Sequence, residues 1–209
     1  MGKNRNWITS HIKDPFVKRA VEAGYRSRAA YKLLEIDQRD GLFRRGDTVV
    51  DLGAAPGGWT QVASQRVGRE GRVIAVDVLP MDPLPGVVSL EGDLHDPAVQ
   101  VQIMEALAGR SASAVISDMA PNISGMNALD QPRTMQMAEL ALDISRDILA
   151  PGAGFLVKVF QGEGFDAFVK TVQQSFSKVY VRKPKASRAN SREVYVLGLK
   201  SVSEPVWLK

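Results

Sequence analysis

The residues most able to do chemistry open on Asp51-Leu52-Gly53-Ala54-Ala55-Pro56-Gly57-Gly58-Trp59, a glycine-rich turn between a β-branched run and a helical one. Glycine lets a backbone approach a ligand closely, and the helix that follows aims its first N–H groups outward, which suits an anionic group of a bound cofactor. The spacing Gly53-x-x-x-Gly57-Gly58 departs from the G-x-G-x-x-G of dinucleotide sites. It fits S-adenosylmethionine, whose methionine carboxylate matches the helix start. Asp77, closing the second strand, is placed to accept ribose hydroxyls, and Asp93, just past the third, the adenine amino group. Each acid alone would as readily be a helix cap or a solvated turn, so the argument rests on the ordered set. Trp59 serves core packing as readily as a cofactor.

A second constellation is Lys32, Asp118, Lys158 and Glu193, which the predicted elements deliver to one edge of the sheet. Lys158 interrupts the apolar residues Phe155-Leu156-Val157 and Val159-Phe160 in a strand expected to be buried on both faces, where an unpaired charge is costly. A partner is therefore expected for it. A strand-borne lysine or glutamate is more often a salt-bridged edge residue than a catalyst, and that reading stands beside the catalytic one. A sulfonium methyl is already activated, so an enzyme must chiefly hold an acceptor oxygen in line and manage one proton. Lys158 could do this as a neutral base, which Lys32 and the sulfonium promote and Asp118 and Glu193 oppose. As a cation it would instead orient the oxygen and stabilise its developing charge.

The elements that must position these residues alternate. Predicted strands cover Thr48 to Leu52, Arg72 to Asp77, Val87 to Glu91, Ala114 to Ser117 and Gly154 to Val159, with helices over Gly58 to Val67, Pro97 to Leu107, Thr134 to Leu149 and Phe165 to Ser175. Two short helices, Pro15 to Ala23 and Ser27 to Asp40, precede them, and Val179 to Arg182 with Val194 to Leu199 forms an antiparallel hairpin at or near the sheet's end. Such alternation implies an α/β, doubly wound, mostly parallel seven-stranded sheet with helices on both faces and an antiparallel last strand. With no repeat and no long linker, residues 1–209 read as one domain, a basic helical segment over 1–40 ahead of a catalytic core over 46–200.

Composition narrows the chemistry. Zero Cys among 209 residues excludes disulfides and thiolate chemistry, and two His, His11 and His95, make a poor metal cluster, so no metal is expected. No apolar run approaches the roughly 20 residues that span a bilayer, and the start through Trp7 leads into no signal-peptide core, so no membrane is expected and the localisation reads as cytoplasmic. The formal charge of +4 concentrates at the two ends, in Lys13, Lys18, Arg19, Arg26, Arg28 and Lys32, and in the run from Arg182 to Arg192. Both stretches could track phosphates or be solvated faces.

The runs Arg26-Ser27-Arg28-Ala29-Ala30-Tyr31-Lys32-Leu33, Ser117-Asp118-Met119-Ala120-Pro121-Asn122, Val157-Lys158-Val159-Phe160 and Ser191-Arg192-Glu193-Val194-Tyr195 resemble the K-D-K-E tetrad of the FtsJ/RrmJ ribosomal RNA 2′-O-methyltransferases. The resemblance runs from about Trp7 to Leu199 and takes in the turn from Asp51 to Trp59. It implies a Rossmann-like class I S-adenosylmethionine-dependent methyltransferase in which Gly57, Trp59, Asp77, Asp93 and Asp118 bind the cofactor, S-adenosylhomocysteine is the product, and Lys158 is the central catalytic residue. It also implies a uridine in the A loop of 23S ribosomal RNA as acceptor, in the assembled large (50S) subunit; a monomer is the default expectation for the protein. An amino-methylating enzyme fits less well, because Asp118-Met119-Ala120-Pro121 lacks paired prolines and a base-stacking aromatic. Methylation of messenger-RNA cap riboses and a non-catalytic RNA-binding assembly role are the remaining alternatives.

Overall fold

The computed structural model describes residues 14–120, 127–188 and 190–202, with the helix through 127–130 given by its backbone. Of the residues weighed above, the start through Trp7, His11, Lys13, Pro121, Asn122 and Ala189 lie outside the described residues.

Two helix starts follow from the same local chemistry. At α1, Pro15–Glu22, the Asp14 Oδ1 accepts the Phe16 N–H at 2.9 Å. Proline fills the first helical position, where a missing N–H costs nothing. The helix Pro97–Leu107 repeats this with Asp96 accepting from Ala98 at 2.9 Å. Between them lie α2, Ala30–Asp40, and α3, Gly58–Val67, which makes Pro97–Leu107 α4. The second predicted helix thus starts at Ala30 rather than Ser27. Residues 26–29 bend instead to meet α3: the Arg26 N–H donates to Gln61 Oε1 at 2.8 Å, and a Cβ on Gly58 would lie 2.3 Å from Ser27 Oγ.

Seven strands, β1 Thr48–Leu52, β2 Arg72–Asp77, β3 Val87–Glu91, β4 Ala112–Ser117, β5 Leu149–Phe160, β6 Phe176–Arg182 and β7 Glu193–Ser201, form one sheet in the order β3-β2-β1-β4-β5-β7-β6. β7 runs antiparallel to both its neighbours, inserted between β5 and β6. Strand order reverses between β1 and β4, which opens a crevice at the carboxyl ends of those strands.

Residue alternation sends the two sides of each strand into different apolar layers. Val49, Val73, Ile116, Leu156 and Leu197 pack under α2 and α3, against Leu33, Ile36, Trp59 and Val62. On the other face Val50, Leu52, Phe155 and Val157 pack under α4, α5 (Asn127–Ile148) and α6 (Phe165–Ser175). No helix among the described residues is long and apolar enough to cross a membrane.

Other boundaries also differ from the sequence expectation, among them those on either side of β5. The long helix begins at Asn127, not Thr134, and carries Pro132 inside it. Proline removes one helical donor there, but the buried Gln131 side chain anchors this end by donating to Phe160 O at 2.9 Å and Glu163 O at 3.0 Å. The fifth strand begins at Leu149, not Gly154, because Leu149 pairs with Ala112 before a register shift brings Gly154 beside Ala114. That pairing also starts β4 two residues early.

Candidate active site

β1 delivers the chain to the crevice and the glycine turn follows at once. Gly53, with φ 75°, and Gly57, with φ 104°, take the left-handed backbone that residues bearing a Cβ rarely adopt. A Cβ at Gly53 would also fall 2.1 Å from Met119 Cγ, and one at Gly57 2.7 Å from Arg26 Nη1. The turn is tied to β2 by the Gly53 and Ala54 N–H groups, which donate to Val76 O at 2.8 and 3.1 Å. Asp77, ending β2, holds it again, accepting from Ala55 N at 2.9 Å and from Leu79 N at 2.8 Å.

A cavity of about 490 Å³ opens at this crevice, lined among others by Gly53, Ala55, Asp77, Asp93, Asp118 and Met119. Three of the predicted cofactor residues, Asp77, Asp93 and Asp118, therefore share one space. Asp93 is exposed and accepts from both the His95 backbone N–H and the His95 ring, each at 2.9 Å. Those bonds hold its carboxyl below the ordinary value. Gly57 and Trp59, at the start of α3, are not in the lining of the cavity. The buried Trp59 indole donates to Ala29 O at 2.8 Å, and its ring centroid lies 5.6 Å from that of Tyr195. Its side chain thus belongs to the core, while its backbone lies in the first turn of α3, where N–H groups have no intrahelical acceptor.

Asp51 lies beneath the turn. It is buried, its Oδ2 accepts from Thr60 Oγ1 at 2.6 Å, and its Oδ1 has no partner among the described residues. Burial raises its pKa to about 7, against the Thr60 hydrogen bond, and the charges of Asp118 and Asp77 add to the rise. Three carboxyl groups thus line the crevice and a fourth, that of Asp51, is buried close to two of them. A ligand bearing positive charge and hydrogen-bond donors fits it, whereas a pyrophosphate would be repelled.

The four residues of the second constellation meet beside this cavity as two ion pairs. Lys158 Nζ lies 3.1 Å from Asp118 Oδ1 and donates to Asp118 O at 2.5 Å, so the buried strand cation has its partner. Lys32 Nζ lies 2.7 Å from Glu193 Oε1. Between the pairs stands Tyr195, whose hydroxyl donates to Asp118 Oδ1 at 2.8 Å and lies 3.3 Å from Glu193 Oε1. Lys32 Nζ is 5.6 Å from the Tyr195 ring centroid. Burial pushes the Asp118 carboxyl up, but the Lys158 and Lys32 charges and the Tyr195 bond outweigh it and leave it below the ordinary value. Burial raises the Tyr195 phenol well above its ordinary value, reinforced by the charges of Asp118 and Glu193, so it stays a neutral donor.

Sequence reasoning passed over Tyr195 and Ser187. The Ser187 hydroxyl donates to Glu193 Oε1 at 2.8 Å, which places the basic stretch after β6 against the site. That stretch is fastened to the N-terminal segment. Arg28 donates to Ala186 O at 3.0 Å and pairs with Asp14, and the Lys185 N–H donates to Glu35 Oε2 at 2.8 Å. Burial, with the charge of Arg188, lowers the pKa of Arg28, a mark of how closely cations crowd this rim.

The architecture, a reversed seven-stranded sheet with β7 inserted antiparallel and an acid-lined crevice after β1, is the Rossmann-like fold of class I S-adenosylmethionine-dependent methyltransferases. Within that class the chain belongs to the FtsJ-like methyltransferase family, whose model matches residues 25–201. It is 56% identical over 194 residues to the ribosomal RNA large subunit methyltransferase E of Marinobacter nauticus, covering 93% of this chain and 94% of that one. The protein of the same name from an Azoarcus species is 57% identical over 196 residues, with 94% and 96% covered. A crystal structure from Plasmodium falciparum described as a ribosomal RNA methyltransferase superposes with a TM-score of 0.77 at 26% identity, covering 86% of this chain and all of that one. Aeropyrum pernix fibrillarin, whose crystal structure holds S-adenosylmethionine, shares the fold at a TM-score of 0.55 and 15% identity, over 81% of this chain and 76% of its own.

Proposed function

We propose that this protein transfers the methyl group of S-adenosylmethionine to the ribose 2′-hydroxyl of a uridine in the A loop of 23S ribosomal RNA. It does so as a cytoplasmic monomer acting on the assembled large subunit. The single observation that carries the reading is the buried Lys158–Asp118 pair at the edge of an acid-lined cavity, 3.1 Å between Nζ and Oδ1. Large-subunit RNA as substrate is supported by relatives of that description at 56 and 57% identity. The uridine and the A loop rest on the resemblance of the tetrad.

In this reading Asp77 would hold the ribose hydroxyls of the cofactor and Asp93 its adenine amino group, with Asp118 also on the cofactor's side of the cavity. The first N–H groups of α3, those of Gly58 and Trp59 after the turn at Gly57, would hold its carboxylate. The cofactor supplies an activated methyl on a sulfonium. Lys158 then meets the acceptor hydroxyl. An ammonium has three N–H groups. Asp118 engages it through Oδ1 and its backbone carbonyl. One donor is then left to hold the 2′-oxygen in line and to stabilise the charge that develops as the proton departs to water. Lys32, fixed by Glu193, faces the ribose or its phosphate.

Incubating the protein with labelled cofactor and large subunits lacking the modification, then mapping the methylated nucleotide, tests the reading. A label on a ribose 2′-oxygen of a single uridine is the expected result; a base methyl, or no transfer to RNA by a cofactor-bound protein, would overturn it.

A further inference from the structure

The far end of the sheet carries a second concave site that the reaction does not use. A cleft of about 540 Å³ opens where β1, β4 and β5 begin, bounded by the end of α2 and by β6 and β7, with Arg39, Arg44, Lys178 and Lys200 in its lining. None of these four head groups is in an ion pair among the described residues.

The carboxylates nearby leave that charge standing. Asp40 is taken by Arg182, which donates to both its oxygens at 2.9 and 2.7 Å and lies 4.3 Å from the Tyr180 ring centroid. Asp47 accepts the Arg44 backbone N–H at 2.7 Å, leaving one acidic group against four cations. The backbone at Lys200 sits at φ 59°, a conformation residues with a Cβ adopt rarely and one that tends to survive where function holds it.

The cleft is joined to the active site along α2. Lys32 and Arg39 are seven residues apart in that helix, which puts them on one face about 10 Å apart along its axis. That distance spans on the order of three phosphates of a stacked strand, at roughly 3.4 Å each. We propose that the cleft binds backbone phosphates of the RNA that flanks the nucleotide presented to Lys158. The proposal rests on the reading of the protein as an RNA methyltransferase. Because the contacts are to phosphate, the cleft adds affinity and orientation rather than sequence choice.

Its test is a salt titration of binding to large ribosomal subunits lacking the modification, comparing the full protein with the Arg44→Gln/Lys178→Gln/Lys200→Gln variant. Each lost phosphate contact removes about 0.7 to 0.9 from the slope of log affinity against log salt, so the variant is expected to show a slope shallower by about 2 to 3 and affinity at low salt weaker by on the order of a hundredfold. Cofactor affinity by calorimetry should match wild type, which also shows that the variant is folded. If it does not fold, the single Lys178→Gln and Lys200→Gln proteins serve, each expected to lower the slope by just under one. Wild-type slope and affinity in folded variants would overturn the cleft alone. A wild-type protein with no salt-dependent affinity for the subunits would overturn the cleft together with the RNA reading.

Discussion

Tyr195 stands directly opposite Lys158 in the antiparallel β5–β7 ladder, and its hydroxyl closes on the same Asp118 oxygen that Lys158 approaches. Opposed residues of a ladder project to the same face. The pairing therefore makes Tyr195 a positioning residue that keeps Asp118 aimed at the lysine.

Tyr195→Phe keeps the ring against Trp59 and deletes only the hydroxyl. Asp118 and Glu193 each retain a lysine, so the stability loss should be about 1 kcal/mol in a denaturant titration. Turnover should fall by roughly tenfold, about 1.4 kcal/mol of barrier, with cofactor affinity held. Unchanged turnover would show that Asp118 needs no second anchor.

On the proposed role of the lysine at the acceptor oxygen, Lys158→Ala should abolish transfer while calorimetry finds cofactor affinity nearly unchanged. Lys158→Arg separates the two roles open to the amine, since a guanidinium stays charged and cannot serve as a base. Measurable single-turnover methyl transfer by the arginine variant supports steering by a cation. Transfer lost in the arginine variant, with a wild-type rate that rises with pH as one group deprotonates, would support the base instead.

Where local chemistry decides, the sequence was legible. The strands at Thr48–Leu52, Arg72–Asp77 and Val87–Glu91 and the helices capped by Asp14-Pro15 and Asp96-Pro97 lie where short β-branched runs and caps put them. Lys158 was visible as a charge in a buried strand that demanded a partner, and Asp118 is that partner. What escaped depends on contacts between distant segments. Tyr195 faces Lys158 through the register of β5 with β7, which no local pattern encodes, although the two-residue step from Glu193 to Tyr195 already placed both on one face. The start of α5 was hidden by Pro132, an apparent helix breaker whose cost is offset by Gln131 bonds to the end of β5. The full burial of Asp51 follows from Thr60 and the packing of α3 over β1.

Asp77→Ala should weaken cofactor binding by ten- to a hundredfold, about 1.4 to 3 kcal/mol, since a charged acceptor is lost from the cavity. The same change takes the acceptor from Ala55 N and Leu79 N and so loosens the turn. Calorimetry with the cofactor checks this, and unchanged affinity would remove Asp77 from the site.

Asp51 makes stability depend on pH in a direction opposite to Asp118. Its folded pKa is raised from 3.8 to about 7. Near pH 4 and below, both folded and unfolded chains hold the proton and the group costs nothing. Between about pH 4 and 7 the unfolded chain has released it while the folded chain keeps it, so folding weakens by about 1.4 kcal/mol per pH unit, up to roughly 4 kcal/mol. Above pH 7 the loss is complete and the contribution is flat. Asp118, with its pKa lowered, acts the other way: its contribution is present above the ordinary carboxylate range and is lost as the pH falls through its folded value. Urea titrations of wild type and Asp51→Asn from pH 4 to 8 isolate the first term, because the variant has no proton to lose at this position while Asp118 is common to both. The stability of the wild type relative to the variant should decline steadily up to about pH 7 and then level, and a difference that stays constant across the range would show that Asp51 keeps an ordinary carboxyl.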